Sequence, residues 1–365
     1  MSEPTPRIAL LPAALLALAV LAVVDAGVLL VVATPSRLAE PTPLDDGPTL
    51  VARLSSLRRH PGSTVALLGD SVIYGRALEE RGEGDWRSDN LAPALQQALG
   101  GDTLAVNLGM NGALPVDQAR LLPLVLAASP DLVVLDVSLR SFSADFRPAE
   151  ESASRPWLGE ILPTATFAER LDGQPWGERL TRILRAGAAR VWALYRHRAW
   201  MQARFLAGAP RDAVTRLRDA AIARIDRTPA SSEDAALDAE LALMLRTKAR
   251  YATVDLVGHP QAEALRQILA ALREAGQPAV LFYATENPSL LPSLVDPAGH
   301  ASELAALEDL ISTGLGSRQV WLGPEDPADP STWLDHVHRT GPGLAALARR
   351  IAAVSPSGPG SEGSY

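Results

Sequence analysis

"TVALLGDSVIYG", residues 64–75, decides how the fold is read. A short apolar run ends abruptly at Gly69-Asp70-Ser71. A run of that length, closed by glycine, predicts a strand over 64–69 that is covered on both faces. Ser71 then stands just beyond the strand's carboxyl end. In open α/β sheets that edge is where ligands bind, so a hydroxyl there is placed for chemistry. Serine is equally a common helix N-cap, and the tripeptide alone does not choose between the two roles.

The rhythm of the flanking sequence supports the strand. "DNLAPALQQALG" (89–100) has helical spacing and a glycine stop, "DTLAVNLG" (102–109) reads as a strand, and "PVDQARLLPLVLAAS" (115–129) as a helix. "PDLVVLDVS" (130–138) is a third strand. After a break come a helix at 260–276, the strand "PAVLFYA" (278–284), a helix near 302–314, the strand "RQVWLG" (318–323) and a last helix at 341–354. Strand–helix alternation with apolar strands predicts a three-layer α/β/α sandwich around a five-stranded parallel sheet. Residues 150–255, with Trp157, Trp176, Trp192 and Trp200 and no clear strand, read as a helical insertion. Within it "ARVWALYRHRAWMQARF" (189–205) fits either a membrane surface or a helix packed on the main domain.

The chain has 365 residues, 47% hydrophobic and 21% charged, with a net charge of −8 and no cysteine. This bounds it to a globular protein with ample core. The acidic balance and the lack of a basic stripe argue against nucleic acid as a partner. Without cysteine there are no disulfides, no thiolate zinc site and no thiol nucleophile.

Residues 8–33, "IALLPAALLALAVLAVVDAGVLLVVA", contain one charge, Asp25. At about 1.5 Å per residue the run is long enough for a hydrocarbon core of about 30 Å. It exceeds the apolar region of about 7–15 residues found in cleaved signal peptides. It predicts an uncleaved N-terminal transmembrane helix, with residues 1–33 as cytoplasmic tip and anchor and the bulk of the chain extracytoplasmic. Arg7 and Arg37 flank it evenly, so loop charge does not orient it. Residues 34–49, rich in Pro and Asp, read as a linker, 50–354 as the folded domain, and 355–365 as a flexible tail.

A serine hydroxyl needs a base to become a nucleophile, and the base needs a carboxylate to orient it. "TWLDHVHRTGPGLAALA" (332–348) supplies both, with Asp335 and His338 three residues apart ahead of the last helix. His336 competes for the role of base. Two histidines and an aspartate in four residues also fit a metal, but no nearby cluster completes the ligand set.

Together these segments resemble the SGNH, or GDSL-type, hydrolases. "GDSV" (69–72) matches the nucleophile block, "NLGMNG" (107–112) the glycine block, "PDLVVLDVSLRS" (130–141) stands where the third block falls, and "DHVH" (335–338) matches the closing D-x-x-H. The resemblance covers about 65–140 and 278–354 and implies a flavodoxin-like SGNH fold. It implies a catalytic Ser71, Asp335 and His338, an oxyanion hole from the N–H groups of Ser71 and Gly109, and no cofactor or metal. One departure is clear: the family's third block is Gly-x-Asn, and here the aligned residues are Ser138, Leu139 and Arg140. Arg140 or Asn111 are the candidates to replace the missing donor; Arg140 fits an ion pair equally well.

A looser similarity of layout, including "FYATENPSLLPSL" (282–294), links the chain to membrane-anchored acyltransferases of the cell envelope, of the alginate O-acetylation and teichoic acid D-alanylation type. Tyr74 and Arg76, and Glu286 and Asn287 at the end of the fourth strand, are candidates for contacting substrate; a turn built on Pro288 is the alternative for the latter pair. The expectation is a membrane-anchored serine esterase or O-acyltransferase acting on ester-linked acyl groups of envelope glycans or lipids, with room for a membrane protein partner. The alternative is an inactive binding or assembly protein on the same fold.

Overall fold

The computed structural model describes residues 7–32, 47–75, 77–80, 86–147, 188, 192–196, 245, 247–325 and 329–355. The chain divides into two compact units, one of residues 1–52 with 156–214 and one of 53–155 with 215–365.

In the first unit the N-terminal apolar run forms one helix, α1 (Arg7–Val32), against which the short helix Ala193–Arg196 packs. Side chains are described at Leu15, Leu16 and residues 18–28, and Leu16, Leu18, Val20 and Val23 are exposed. Among the described residues no helix is long and apolar enough to cross a membrane. Most of the expected linker (34–49), tail (355–365) and insertion (150–255), including most of 189–205, lies outside the described residues; 47–49, expected as linker, belong to a helix.

Helix α2 (Gly47–Arg59) leads into the second unit, which follows the expected rhythm: β1 (Thr64–Leu68), α3 (Ser71–Tyr74), α4 (Leu91–Leu99), β2 (Leu104–Asn107), α5 (Pro115–Ala128) and β3 (Leu132–Val137). After the insertion come α6 (Pro260–Glu274), β4 (Ala279–Tyr283), α7 (Pro297–Gly314), β5 (Gln319–Leu322) and α8 (Gly341–Val354). Helix α7 begins five residues before the expected position, because Asp296 caps it through Gly299 N–H at 2.8 Å and Pro297 opens the first turn.

The five strands are all parallel, in the order β2-β1-β3-β4-β5. Strands β1, β3 and β4 are buried along their whole length, as parallel strands covered on both faces must be. Val65 and Leu67, Leu132 and Val134, and Val280 and Phe282 form one core with Leu91 and Leu95 of α4 and Leu344, Leu347 and Ile351 of α8. On the other side α5 packs on α6, and α6 on α7. Strand order reverses between β1 and β3, so the crevice beyond their carboxyl ends is the topological switch point. Residues on the two sides of the expected insertion meet close to that edge: Ser143 and Val254 form an antiparallel bridge, and Asp255 N–H donates to Phe142 O at 3.1 Å.

Candidate active site

Ser71 follows β1 at the switch point. Its turn is capped by Asp70, whose Oδ1 accepts Val72 N–H at 2.8 Å, and Ser71 is the first residue inside α3. The cap role therefore belongs to Asp70 and leaves the Ser71 hydroxyl free for another partner. Beneath the turn lies Asp136, 3% exposed, whose two carboxyl oxygens accept Asp70 N–H at 3.2 and 3.0 Å. Gln118 Nε2 donates to the same carboxyl at 3.1 Å. Burial, and then the nearby Asp70 charge, push the Asp136 carboxyl well above its ordinary range. Gly69 makes room for it: a Cβ at 69 would stand 2.4 Å from the Asp136 carboxyl.

The far end of the chain meets this turn. His338 Nε2 lies 2.9 Å from Ser71 Oγ, and His338 Nδ1 lies 2.8 Å from Asp335 Oδ2. The other oxygen of Asp335 accepts the backbone N–H groups of Val337 and His338, each at 2.9 Å. Burial alone would raise the Asp335 pKa, but the imidazole bond, its charge and the two backbone donors outweigh it and hold the carboxyl well below its usual range. An ionised carboxylate only accepts, so Nδ1 carries the proton and Nε2 is left to accept from the serine hydroxyl.

His336, the rival histidine, points elsewhere. Its Nδ1 is 3.8 Å from Asp335 Oδ1, and burial, then the Arg140 cation, lower its pKa to about 4. Among the described residues no group of three or more side chains could hold a metal ion.

Two sheet-edge residues expected at the substrate do something else. Glu286 is 1% exposed, and its carboxylate accepts from Tyr251 at 2.5 Å and from Tyr283 at 2.9 and 2.8 Å, with His300 Nε2 at 3.8 Å. Burial favours its neutral form, yet His300 and the two tyrosines outweigh that and lower its pKa. Asn287 donates from Nδ2 to Asp335 O at 3.1 Å and from its backbone N–H to His336 O at 2.8 Å, while its Oδ1 accepts Ser289 N–H at 3.0 Å. The expectation of substrate contact is thus corrected: Glu286 is enclosed by protein donors, and Asn287 clamps the loop that carries Asp335 and His338. Tyr74 is likewise buried rather than at the mouth, and Arg76 lies outside the described residues.

The oxyanion donors also differ from expectation. Gly109 N–H donates to Asn107 Oδ1 at 2.8 Å, and Asn107 Nδ2 donates to Ile73 O at 2.6 Å, so that N–H is already committed. Glycine is needed at 109 for packing, since a Cβ would meet Tyr74 N at 2.7 Å and Ile73 Cγ2 at 2.8 Å. Asn111 is exposed on the following turn. Arg140, on the 3-10 turn after β3, donates from Nε to Ser138 Oγ at 3.1 Å, and its Nη2 is 3.5 Å from Asp70 Oδ2.

Sequence reading passed over Asn107, Asp136 and Tyr251. For the first two a signal exists: Asn two residues before Gly is an Asx turn, and one carboxylate inside the apolar "LVVLDV" must have a buried partner. Tyr251 carries no local signal, because its partner Glu286 is 35 residues away.

No protein-family model and no curated protein matches the chain. Among solved structures, it is similar to a carbohydrate acetylesterase family member from Sinorhizobium meliloti at 15% identity and a TM-score of 0.34, over 80% of this chain and 97% of that one. A second crystal structure matches at 13% identity and a TM-score of 0.33, over 80% of this chain and 96% of that one. At this distance no residue role passes from either to this chain.

Proposed function

We propose that the chain is a serine esterase or O-acyltransferase acting on ester-linked acyl groups. The reading is carried by one observation, the hydrogen-bonded series from Ser71 Oγ through the His338 imidazole to the Asp335 carboxylate. Ser71 Oγ attacks the acyl carbonyl carbon while its proton passes to His338 Nε2. Asp335 holds the ring in the productive tautomer and stabilises the imidazolium. The Ser71 N–H, which a first-turn residue cannot spend inside its helix, donates to the developing oxyanion. Collapse breaks the ester C–O bond, and the leaving alkoxide takes the proton from His338. Water or an acceptor hydroxyl, deprotonated by the same imidazole, then releases the acyl group from Ser71.

Membrane anchoring through α1 belongs to the same reading; no helix among the described residues is long and apolar enough to cross a membrane, so this part rests on the apolar sequence of residues 8–33 and the exposed leucines and valines of α1. It directs the activity to acylated glycans or lipids of the cell envelope, on the extracytoplasmic side. A fluorophosphonate probe tests the chemistry. It should label the full-length chain on Ser71, and Ser71→Ala should abolish labelling; a wild-type chain that is not labelled, or a mutant still labelled, rejects the serine-nucleophile reading.

A further inference from the structure

A tetrahedral intermediate needs its negative charge held by fixed donors, and loss of one such donor costs about 10²–10³ in kcat. The Ser71 N–H is one donor. The Gly109 N–H is not a second, because Asn107 accepts it and is itself locked at its other end by Ile73 O. The second donor must come from another element at the same edge.

The switch point supplies it. Strands β1 and β3 are neighbours, so the residue after β1 and the turn after β3 stand side by side at the crevice. Arg140 lies on that turn and is 16% exposed. Its Nε is spent on Ser138 Oγ, which fixes the plane of the guanidinium. Its Nη2 faces Asp70, the residue directly before Ser71, at 3.5 Å. That separation exceeds the ~2.7–2.9 Å of a close charge-assisted bond, so the pairing aligns the cation without saturating it. Asp70 cannot swing away, since its Oδ1 caps α3. The other groups that act electrostatically on the guanidinium are Tyr251, Glu286 and Tyr283.

We propose that the Arg140 guanidinium is the second oxyanion donor, standing in for both the Gly109 N–H and the absent third-block amide. In the step it serves, the Ser71 Oγ–C bond forms, the carbonyl π pair moves onto the carbonyl oxygen, and Arg140 and the Ser71 N–H hold that oxygen. On collapse the pair returns to C=O as the ester C–O bond breaks. Arg140 supplies a whole positive charge where an amide would offer a dipole, so its removal acts on the acylation rate and not on substrate affinity.

The inference rests on the serine-acyl reading, and the experiment separates the two. Full-length wild type, Arg140→Ala and Arg140→Lys are compared for p-nitrophenyl acetate turnover and for the rate of fluorophosphonate labelling at Ser71, with thermal melting as a check on folding. Arg140→Ala is expected to lose about 10²–10³ in kcat with KM little changed. Free guanidinium ion should restore part of that loss, and Arg140→Lys should fall between the two. A labelled wild type with Arg140→Ala at wild-type rate, a rise in KM alone, or no rescue in a folded Arg140→Ala overturns the oxyanion role and leaves the serine reading intact. A wild type that does not label at Ser71 overturns both. If Arg140→Ala does not fold, Arg140→Lys decides, because unchanged kcat in it also overturns the proposal.

Discussion

At the scale of single residues the site is governed by where each charge is allowed to stand. Asp136 sits under the Ser71 turn, and Gly69 makes room for it. Gly69→Ala drives a Cβ into that carboxyl at 2.4 Å, and the turn must shift. The expected cost is about 1–3 kcal/mol, read as a lower urea midpoint with an unchanged m-value. His336 makes a pH prediction. Its folded pKa of about 4 lies below the 6.5 of an unperturbed histidine, so the unfolded chain binds the extra proton first. Stability from this group is complete above about pH 6.5 and falls as pH drops towards 4, by on the order of 3 kcal/mol. Denaturant titrations of His336→Asn between pH 4 and 7 should show a shallower loss than wild type; parallel curves would reject the assignment. Asp335 has the opposite origin and a lower window: its depressed pKa contributes stability above about pH 4 that fades only below it.

At the scale of elements, the loop from β5 to α8 carries His338 and Asp335, and β4 holds the loop. Asn287, just past β4, ties down Asp335 O and His336 O, while Glu286 beside it anchors Tyr251 from the returning end of the insertion. Asn287→Ala removes the side-chain half of that clamp and lets the imidazole drift from Ser71. A misplacement near 1 Å can cost about 10²-fold in rate. The expected outcome is a large fall in kcat with a stability loss of only about 1–3 kcal/mol. A mutant with wild-type kcat would show that the loop holds its register without Asn287. The elements themselves were legible because their signals are local: apolar runs closed by Gly69 and Gly100, and helical spacing in 89–100, 115–129, 260–276 and 341–354; the Asp296 cap, which sets the start of α7, was not. What was not legible was the use of their ends. Glu286 and Asn287 read as edge residues open to substrate, and only their neighbours in space show both to be enclosed.

At the scale of the whole molecule, the second unit carries the complete series from Ser71 to Asp335, and the first contains α1. Leu16, Val20 and Val23 of α1 are exposed, an arrangement that a bilayer would cover. Full-length chain expressed in cells should stay with the membrane fraction through an alkaline carbonate wash, and replacing these three residues with Asp should release it. Recovery of the unaltered chain in the soluble fraction would reject anchoring. A reporter fused to the C-terminus tests the side of the membrane, with activity confined to the cytoplasm as the outcome that removes the envelope substrate.

Sequence alone determined the alternation of five apolar strands with helices, and the residue types proposed as a nucleophile, a base and an orienting carboxylate. Those properties follow from periodicity, caps and side-chain chemistry, which are written within a dozen residues. Tertiary structure decided the strand order and the meeting of Ser71 with His338 across 267 residues. It also decided that Asp70 and not Ser71 caps the turn, that Gly109 spends its N–H on Asn107, and that Arg140 comes to rest 3.5 Å from Asp70, the residue before Ser71. Each of these depends on which buried donor finds which acceptor once the chain has closed, and burial makes that choice binding because an unpaired polar group there costs more than any local preference.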